Sequence, residues 1–239
     1  MAQTQTNQQR RQYLDAMGIQ TWSLRETDAD VAAATEQVEA RAPAAETVVE
    51  MPPLATDWQG LEAQVSSCSR CELSQQRTQT VFGVGNRNAD CLVIGEAPGA
   101  DEDARGEPFV GPAGKLLNQM LLAVGLKREE VYIANIVKCR PPDDRDPKLS
   151  EAAACEAYLK QQIELIQPRV IFAAGRVAAQ NLLKIEQKVG AMRGQKFTYA
   201  DTGIPVVVSY HPAYLLRSPS EKRKAWNDLL AARQILNNS

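Results

Sequence analysis

Four short apolar runs, separated by amphipathic helical patterns, restrict the fold of this 239-residue chain more than any other feature. The runs are Cys91–Gly95, Val131–Val137, Val170–Ala174 and Val206–Tyr210. A period near 3.6 residues predicts helices over Ala113–Val124, Ser150–Ile166, Arg176–Ile185 and Glu221–Leu236, with another over Trp58–Ser67. Runs such as VIFAAG and VVVSY have no polar face, so both sides of each strand must be covered. Strands of this kind joined by helices predict an α/β fold, a parallel sheet between two helical layers. Ligands of such sheets bind beyond the carboxyl ends of the strands. The residues that follow each run are therefore where chemistry is expected.

The longest such segment is GEAPGADEDARGEPFVGPAGK, Gly95 to Lys115. It is rich in Gly, Pro and carboxylates and carries a single aromatic, Phe109. A long loop with no period of its own is either functional or disordered, and the apolar elements on both sides favour function. Its end, Gly111-Pro112-Ala113-Gly114-Lys115-Leu116, resembles the close of a nucleotide-phosphate loop. That reading fails: Phe109 stands at the first glycine position, and Leu116 replaces the hydroxyl that would hold magnesium.

Two other strand ends carry isolated polar groups. Asn135 closes the run Val131-Tyr132-Ile133-Ala134. A buried amide there needs partners; it either holds loop backbone or reads a ligand that offers both a donor and an acceptor. His211, the one histidine of the chain, directly follows the run Val206–Tyr210. A Ser-His-Asp hydrolase is not indicated, because the strained G-x-S-x-G turn is missing. Glu96, Asn135 and His211 thus offer an acid, an amide and a hydrogen-bond donor at one sheet edge. Phe109 adds either a stacking face or an anchor for its own loop.

Five cysteines are present. Cys91 lies within an apolar run and reads as a small buried hydrophobe. Cys68 and Cys71 form a C-x-x-C, and Cys139 and Cys155 sit at the ends of elements. Four thiolates suit zinc or an iron–sulfur cluster, and their spacing does not choose between the two. Disulfides are disfavoured without an export signal. The N-terminus MAQTQTNQQRRQYL lacks the apolar core of such a signal. No run approaches the roughly 18 apolar residues of a membrane span, so a cytoplasmic protein is expected.

Residues 1–56 carry 4 Lys+Arg and 8 Asp+Glu, a net charge of −4, against 23 and 21 (+2) in residues 57–239. The division predicts two parts: an N-terminal short helix (residues 10–24) with an Ala/Glu/Pro-rich linker (residues 26–57), and a mildly basic body. Mild positive charge permits contact with nucleic acid without demanding it.

From about Leu61 onward the chain resembles the family 4, iron–sulfur uracil-DNA glycosylases. The resemblance rests on Gly95-Glu96-Ala97-Pro98-Gly99, Glu102-Asp103, Gly106-Glu107-Pro108-Phe109-Val110-Gly111, Asn135-Ile136-Val137-Lys138-Cys139-Arg140-Pro141-Pro142 and His211-Pro212-Ala213-Tyr214-Leu215, together with the four cysteines. It implies a three-layer α/β/α fold around a central four-stranded parallel sheet. It further implies a [4Fe-4S] cluster on Cys68, Cys71, Cys139 and Cys155. Uracil, flipped out of single- or double-stranded DNA, would lie against Gly95, Glu96 and Ala97, stack on Phe109 and meet Asn135 and His211. His211, neutral, would donate to the departing base, and Leu215 would fill the vacated stack.

Two positions depart from related glycosylases. An Asp often stands where this chain has Ala97, which leaves Glu96 as the nearest carboxylate for water, with Asp101 and Asp103 behind it. A Tyr that excludes the thymine methyl is Gly99 here, and Glu102 is the candidate for that wall. A related DNA-trapping protein uses a histidine in an insertion after the Asn135 strand, and the segment KCRPPDDRDPK has none. An iron–sulfur or zinc interaction module is the other alternative; the set Asn135, Phe109 and His211 argues against it. A monomer is expected, and the N-terminal extension suggests a repair or replication partner.

Overall fold

The computed structural model describes residues 53–238. The helix expected over residues 10–24 and nearly all of the expected linker lie outside them. Asp57 opens the first helix, α1 (Trp58–Ser66), its carboxylate accepting from the Gly60 N–H at 2.8 Å.

The remaining elements in chain order are β1 (Val84–Gly85), β2 (Cys91–Gly95), α2 (Ala100–Arg105), α3 (Pro112–Ala123), β3 (Tyr132–Asn135), α4 (Leu149–Ile166), β4 (Val170–Ala174), α5 (Arg176–Leu183), α6 (Val189–Met192), β5 (Phe197–Tyr199), β6 (Ile204–Ser209), α7 (Pro212–Arg217) and α8 (Lys222–Asn237). The four expected strands and five expected helices are all present, with ends shifted by at most two residues or so. Part of the Gly95–Lys115 loop is regular: it contains α2, which ends at left-handed Gly106.

The sheet differs from the expected four parallel strands. It is six-stranded and mixed, in the order β1-β3-β2-β4-β6-β5. The inner strands β3, β2, β4 and β6 are parallel, whereas β1 and β5 pair antiparallel at the two edges. These edge strands have only two and three residues. Runs this short carry no period, and short strands blunt a sheet edge that would otherwise pair with another chain.

Side chains alternate across the sheet with period two. Leu92, Ile94, Ala134, Ile171 and Ala173 face one layer, where Leu61 and Val65 of α1, Leu159 and Ile163 of α4 and Leu182 of α5 complete the packing. Cys91, Val93, Ile133 and Phe172 face the other, against Leu117 and Leu121 of α3 and Leu229 and Ala232 of α8. β2 pairs with β3 on one side and β4 on the other, so the chain reverses its direction of travel across the sheet at β2. That reversal opens a crevice at the carboxyl ends of the strands.

Candidate active site

The crevice is a cavity of about 390 Å³. Glu96 and Ala97 after β2, Asn135 at the end of β3 and His211 after β6 all line it, with Phe109 and Glu102 from the long loop. Three separate segments thus converge, and the sheet brings them together because β2, β3 and β6 run parallel and end on the same side.

Gly95 makes the floor possible. A Cβ at this position would stand 2.5 Å from Asn135 Oδ1 and 2.6 Å from Phe109 Cζ. The bare backbone therefore lets the amide and the ring close over it. Asn135 is 1% exposed, and its Oδ1 has no hydrogen-bond partner. Buried acceptors are nearly always satisfied, so this oxygen is positioned for a ligand.

Phe109 is held by both its neighbours. Its own backbone is left-handed, φ 53°, a conformation that costs a bulky residue about 1–2 kcal/mol and persists only where surroundings enforce it. On one side, Glu102 Oε1 accepts from the Val110 and Gly111 N–H groups at 2.9 and 3.0 Å, while Oε2 accepts from the Gly99 N–H at 3.1 Å. On the other, Arg128 donates to the Pro108 carbonyl and pairs with Glu107 at 3.0 Å. Glu102 is thus the clasp of this loop, a role that its motif position alone did not reveal. Asp103, 4% exposed, clasps the preceding segment in the same way, accepting from the Thr78 N–H through both oxygens. Asp101 does not line the cavity.

His211 accepts from the Ala213 N–H through Nδ1 at 3.2 Å. That bond fixes the tautomer: the proton of the neutral ring is on Nε2. Burial, aided by Arg217 and opposed by Glu102, lowers its pKa to about 4. His211 is therefore a neutral donor at ordinary pH. Glu96 behaves in the opposite way. Burial and the nearby Asp146, which shares a hydrogen bond with it, raise its pKa to about 7 against the pull of Arg176. A carboxylate poised there is suited to proton transfer near neutrality.

The segment after β3 completes the wall with Pro141, Asp144, Arg145 and Asp146. Sequence reasoning passed over these residues; the signal available was the dense charge of PPDDRDPK directly behind a strand end.

The comparisons fit this geometry. Residues 82–230 match the model of the uracil DNA glycosylase superfamily. The type-4 uracil-DNA glycosylase of Archaeoglobus fulgidus is 44% identical over 171 residues, 69% of this chain and 86% of the relative. The chain belongs to the type-4 uracil-DNA glycosylases. Those of Pyrobaculum aerophilum and Thermotoga maritima are 39% and 42% identical, over 72% and 66% of this chain and 91% and 83% of theirs. The protein is accordingly a DNA-repair hydrolase that removes uracil from DNA.

In this type-4 glycosylase the four cysteines of the resemblance gather on one side of the sheet. Cys139 and Cys155 are buried in the core layer, and Cys68 and Cys71 pack against it. Among the described residues no three His, Cys, Asp or Glu side chains close on a single metal ion. The thiols are nonetheless neighbours: Cys139 lies within electrostatic reach of Cys71 and Cys68, and Cys155 of Cys139 and Cys68. Two of them already receive N–H donors. Arg77 Nη1 donates to Cys139 Sγ at 3.0 Å, and the Lys138 N–H to Cys155 Sγ at 3.3 Å.

Leu215, the residue expected to fill the vacated stack, is 1% exposed and packed inward. Its neighbours Tyr214 and Leu216 are 36% and 44% exposed, and Tyr214 lines the cavity. The phase of α7, set by its packing on α3, turns Leu215 in and those two outward. Among the described residues no helix is long and apolar enough to cross a membrane.

Proposed function

We propose that the cavity receives a uracil flipped out of DNA and hydrolyses its bond to deoxyribose with the chain's own side chains. The observation that carries this reading is the unpartnered Asn135 Oδ1, buried beside Gly95. Its amide can accept from the uracil N3–H and donate to O4. Cytosine presents the reverse pattern at those positions and leaves both groups unpaired, which a buried site penalises strongly. Phe109 supplies the face that replaces lost stacking. Glu102 forms part of the wall that excludes a thymine methyl.

The reaction divides among the remaining groups. The C1′–N1 bond breaks with its electron pair going to uracil, and negative charge develops on O2. His211, neutral and with its proton on Nε2, donates to that oxygen, a preorganised stabilisation of the departing anion. Glu96, ionised, takes a proton from the water whose oxygen bonds to C1′. Solvent then protonates the released uracil. Exposed Leu216 and Tyr214 fill the space that the base left, the role first expected of Leu215.

Cys68, Cys71, Cys139 and Cys155 are the candidate ligands of a [4Fe-4S] cluster. Cys139 lies within electrostatic reach of Cys68 and Cys71, and Cys155 of Cys68 and Cys139; four thiolates suit an iron–sulfur cluster, and hydrogen bonds to the sulfurs tune such sites. Bound there, the cluster would supply a tie between the Cys68–Cys71 segment and the sheet. Action as a monomer in the cytoplasm, with residues 1–56 recruiting a repair or replication partner to the catalytic body at 57–239, completes the reading.

The test is an oligonucleotide bearing one uracil, incubated with the protein and then treated with alkali. Strand cleavage at the uracil is expected, and Asn135→Ala and His211→Ala should each lose rate with the fold intact. Full activity in both variants would defeat this assignment of the site. Iron and visible absorbance in the purified protein, without zinc, test the cluster.

A further inference from the structure

Lys138 is the most anomalous side chain outside the cavity. It is 1% exposed, among the largest fully buried side chains of the protein. Buried ammonium groups are ordinarily paired with a carboxylate. Among the described residues no ion pair includes Lys138. Its Nζ donates to two uncharged oxygens, the Asn135 backbone carbonyl at 3.1 Å and Gln162 Oε1 at 2.6 Å. Gln162, itself fully buried, is fixed in turn by donation to the Phe82 carbonyl at 3.0 Å.

The groups able to balance this charge are sulfurs. Cys139 follows Lys138 directly, and the Lys138 N–H donates to Cys155 Sγ at 3.3 Å. A cluster core ligated by four thiolates is negative overall. One residue thus meets the cysteine site through its main chain, with its charge within electrostatic reach of Cys155 and Cys139, while its ammonium grips the carbonyl of Asn135, whose side chain lines the cavity.

We infer that Lys138 is a positioning residue that couples the cysteine-held cluster to the uracil-reading amide of Asn135. With the cluster in place, its negative charge stabilises the buried ammonium, and the ammonium holds the end of β3 so that Asn135 Oδ1 stays aimed over Gly95. Without the cluster, the ammonium is an uncompensated buried charge, and the end of β3 keeps only its backbone bonds to β2, the Ile136 and Val137 N–H groups donating to the Gly95 and Glu96 carbonyls. The inference rests on the cluster reading given above, which iron content tests separately.

The experiment uses the full-length protein, purified with its metal, carrying Lys138→Met, Gln162→Leu, Asn135→Ala and the pairs with Asn135→Ala. Three quantities are read: iron content, cluster midpoint potential, and affinity for an oligonucleotide containing a non-cleavable 2′-fluorodeoxyuridine. Removing a cation beside the cluster disfavours the reduced form, so Lys138→Met should shift the potential to more negative values. It should also weaken binding of the uracil oligonucleotide on the order of tenfold, the scale of one charge-assisted hydrogen bond. Because Lys138 acts through Asn135, it should weaken binding little further when Asn135 is already Ala.

Gln162→Leu, which keeps the charge and removes only one grip on it, should weaken binding while leaving iron content unchanged. This variant keeps the idea testable should Lys138→Met fold poorly. An unchanged midpoint potential in Lys138→Met, or losses of affinity that simply add to those of Asn135→Ala, would overturn the inference. Wild-type protein free of iron would overturn the cluster reading and the coupling with it, while the binding cycle would still report whether Lys138 positions Asn135.

Discussion

The ring centroids of Phe109 and His211 lie 5.6 Å apart with planes tilted by 32°. Aromatic pairs touch at about 4.5–7 Å, so nothing inserts between these two. The Phe109 ring and the His211 imidazole form one continuous wall, so a uracil stacked on Phe109, as proposed, would lie beside His211. Gly175 helps to set this contact, since a Cβ there would lie 2.9 Å from the His211 Cβ. His211→Ala is expected to lower kcat by roughly 10²–10³-fold, the usual loss for one preorganised donor. Phe109→Leu should lower it less alone and add little to His211→Ala. Single-turnover excision rates for the two variants and their combination measure this; purely additive effects would show that the wall does not act as a unit.

Glu96 and His211, both lining the cavity, are separated by their surroundings. Glu96 is raised to about 7 and His211 lowered to about 4. A base works ionised, so the rate should climb as pH rises through about 7 and level off above it. His211 is already neutral throughout that range and contributes no second limb. Glu96→Gln should remove the climb together with most of the rate. For stability the signs are reversed between the two. The raised pKa of Glu96 favours the folded state at low pH and loses that contribution as pH rises through about 7, whereas the lowered pKa of His211 favours folding above about 6.5 and loses it as pH falls toward 4. A pH–rate profile flat across neutrality would remove Glu96 from the proton-transfer role.

Glu102 separates loop order from methyl exclusion. Its carboxylate takes three backbone N–H groups, two of them directly after Phe109. Glu102→Ala leaves these donors without an acceptor and should cost about 2–3 kcal/mol of stability, with a fall in uracil excision as Phe109 loosens. The methyl-wall role predicts one thing more, a gain of activity on thymine or 5-methyl-substituted uracil. If thermal melting shows the loss of stability and no such gain appears, Glu102 is a clasp alone.

Glycine substitutions distinguish the site from its scaffold. Gly95→Ala brings a Cβ against the Asn135 amide and the Phe109 ring, both able to move. It should abolish excision with little loss of melting temperature. Gly114→Ala is different in kind, because its Cβ would lie 1.8 Å from the Phe109 carbonyl oxygen, which is backbone. Here α3 itself must shift, and a clear drop in melting temperature is expected. Circular-dichroism melts paired with excision assays check both.

The inner strands were legible because each is an apolar run long enough to imply burial on both faces. Asn135 and His211 were legible as polar residues where such runs end. The edge strands β1 and β5 escaped notice since two or three residues have no period, and their pairing depends on neighbours distant in sequence. The clasp made by Glu102 escaped for a related reason: its partners, eight and nine residues on, meet it only once α2 has folded and the loop has turned back. The anchoring of Asn135 by Lys138 follows from burial, which a lysine in a sequence does not advertise.

The same limit explains Leu215. In a helix of six residues the inward and outward positions differ by one residue, and only the docking of α7 decides between them. Leu215→Ala should therefore act on stability, at a cost of about 2–5 kcal/mol for emptying a buried leucine site, with excision of uracil from single strands and duplexes reduced alike. Leu216→Ala and Tyr214→Ala should leave the melting temperature nearly unchanged. Duplex substrate requires that the base be withdrawn and its space filled, whereas a single strand has no partner base to displace. The two exposed residues should thus slow excision from duplex more than from single strands. Competition between a labelled duplex and a single-stranded oligonucleotide in one reaction reads this ratio directly. A ratio equal to that of the unaltered protein in both variants would mean that neither side chain enters the stack.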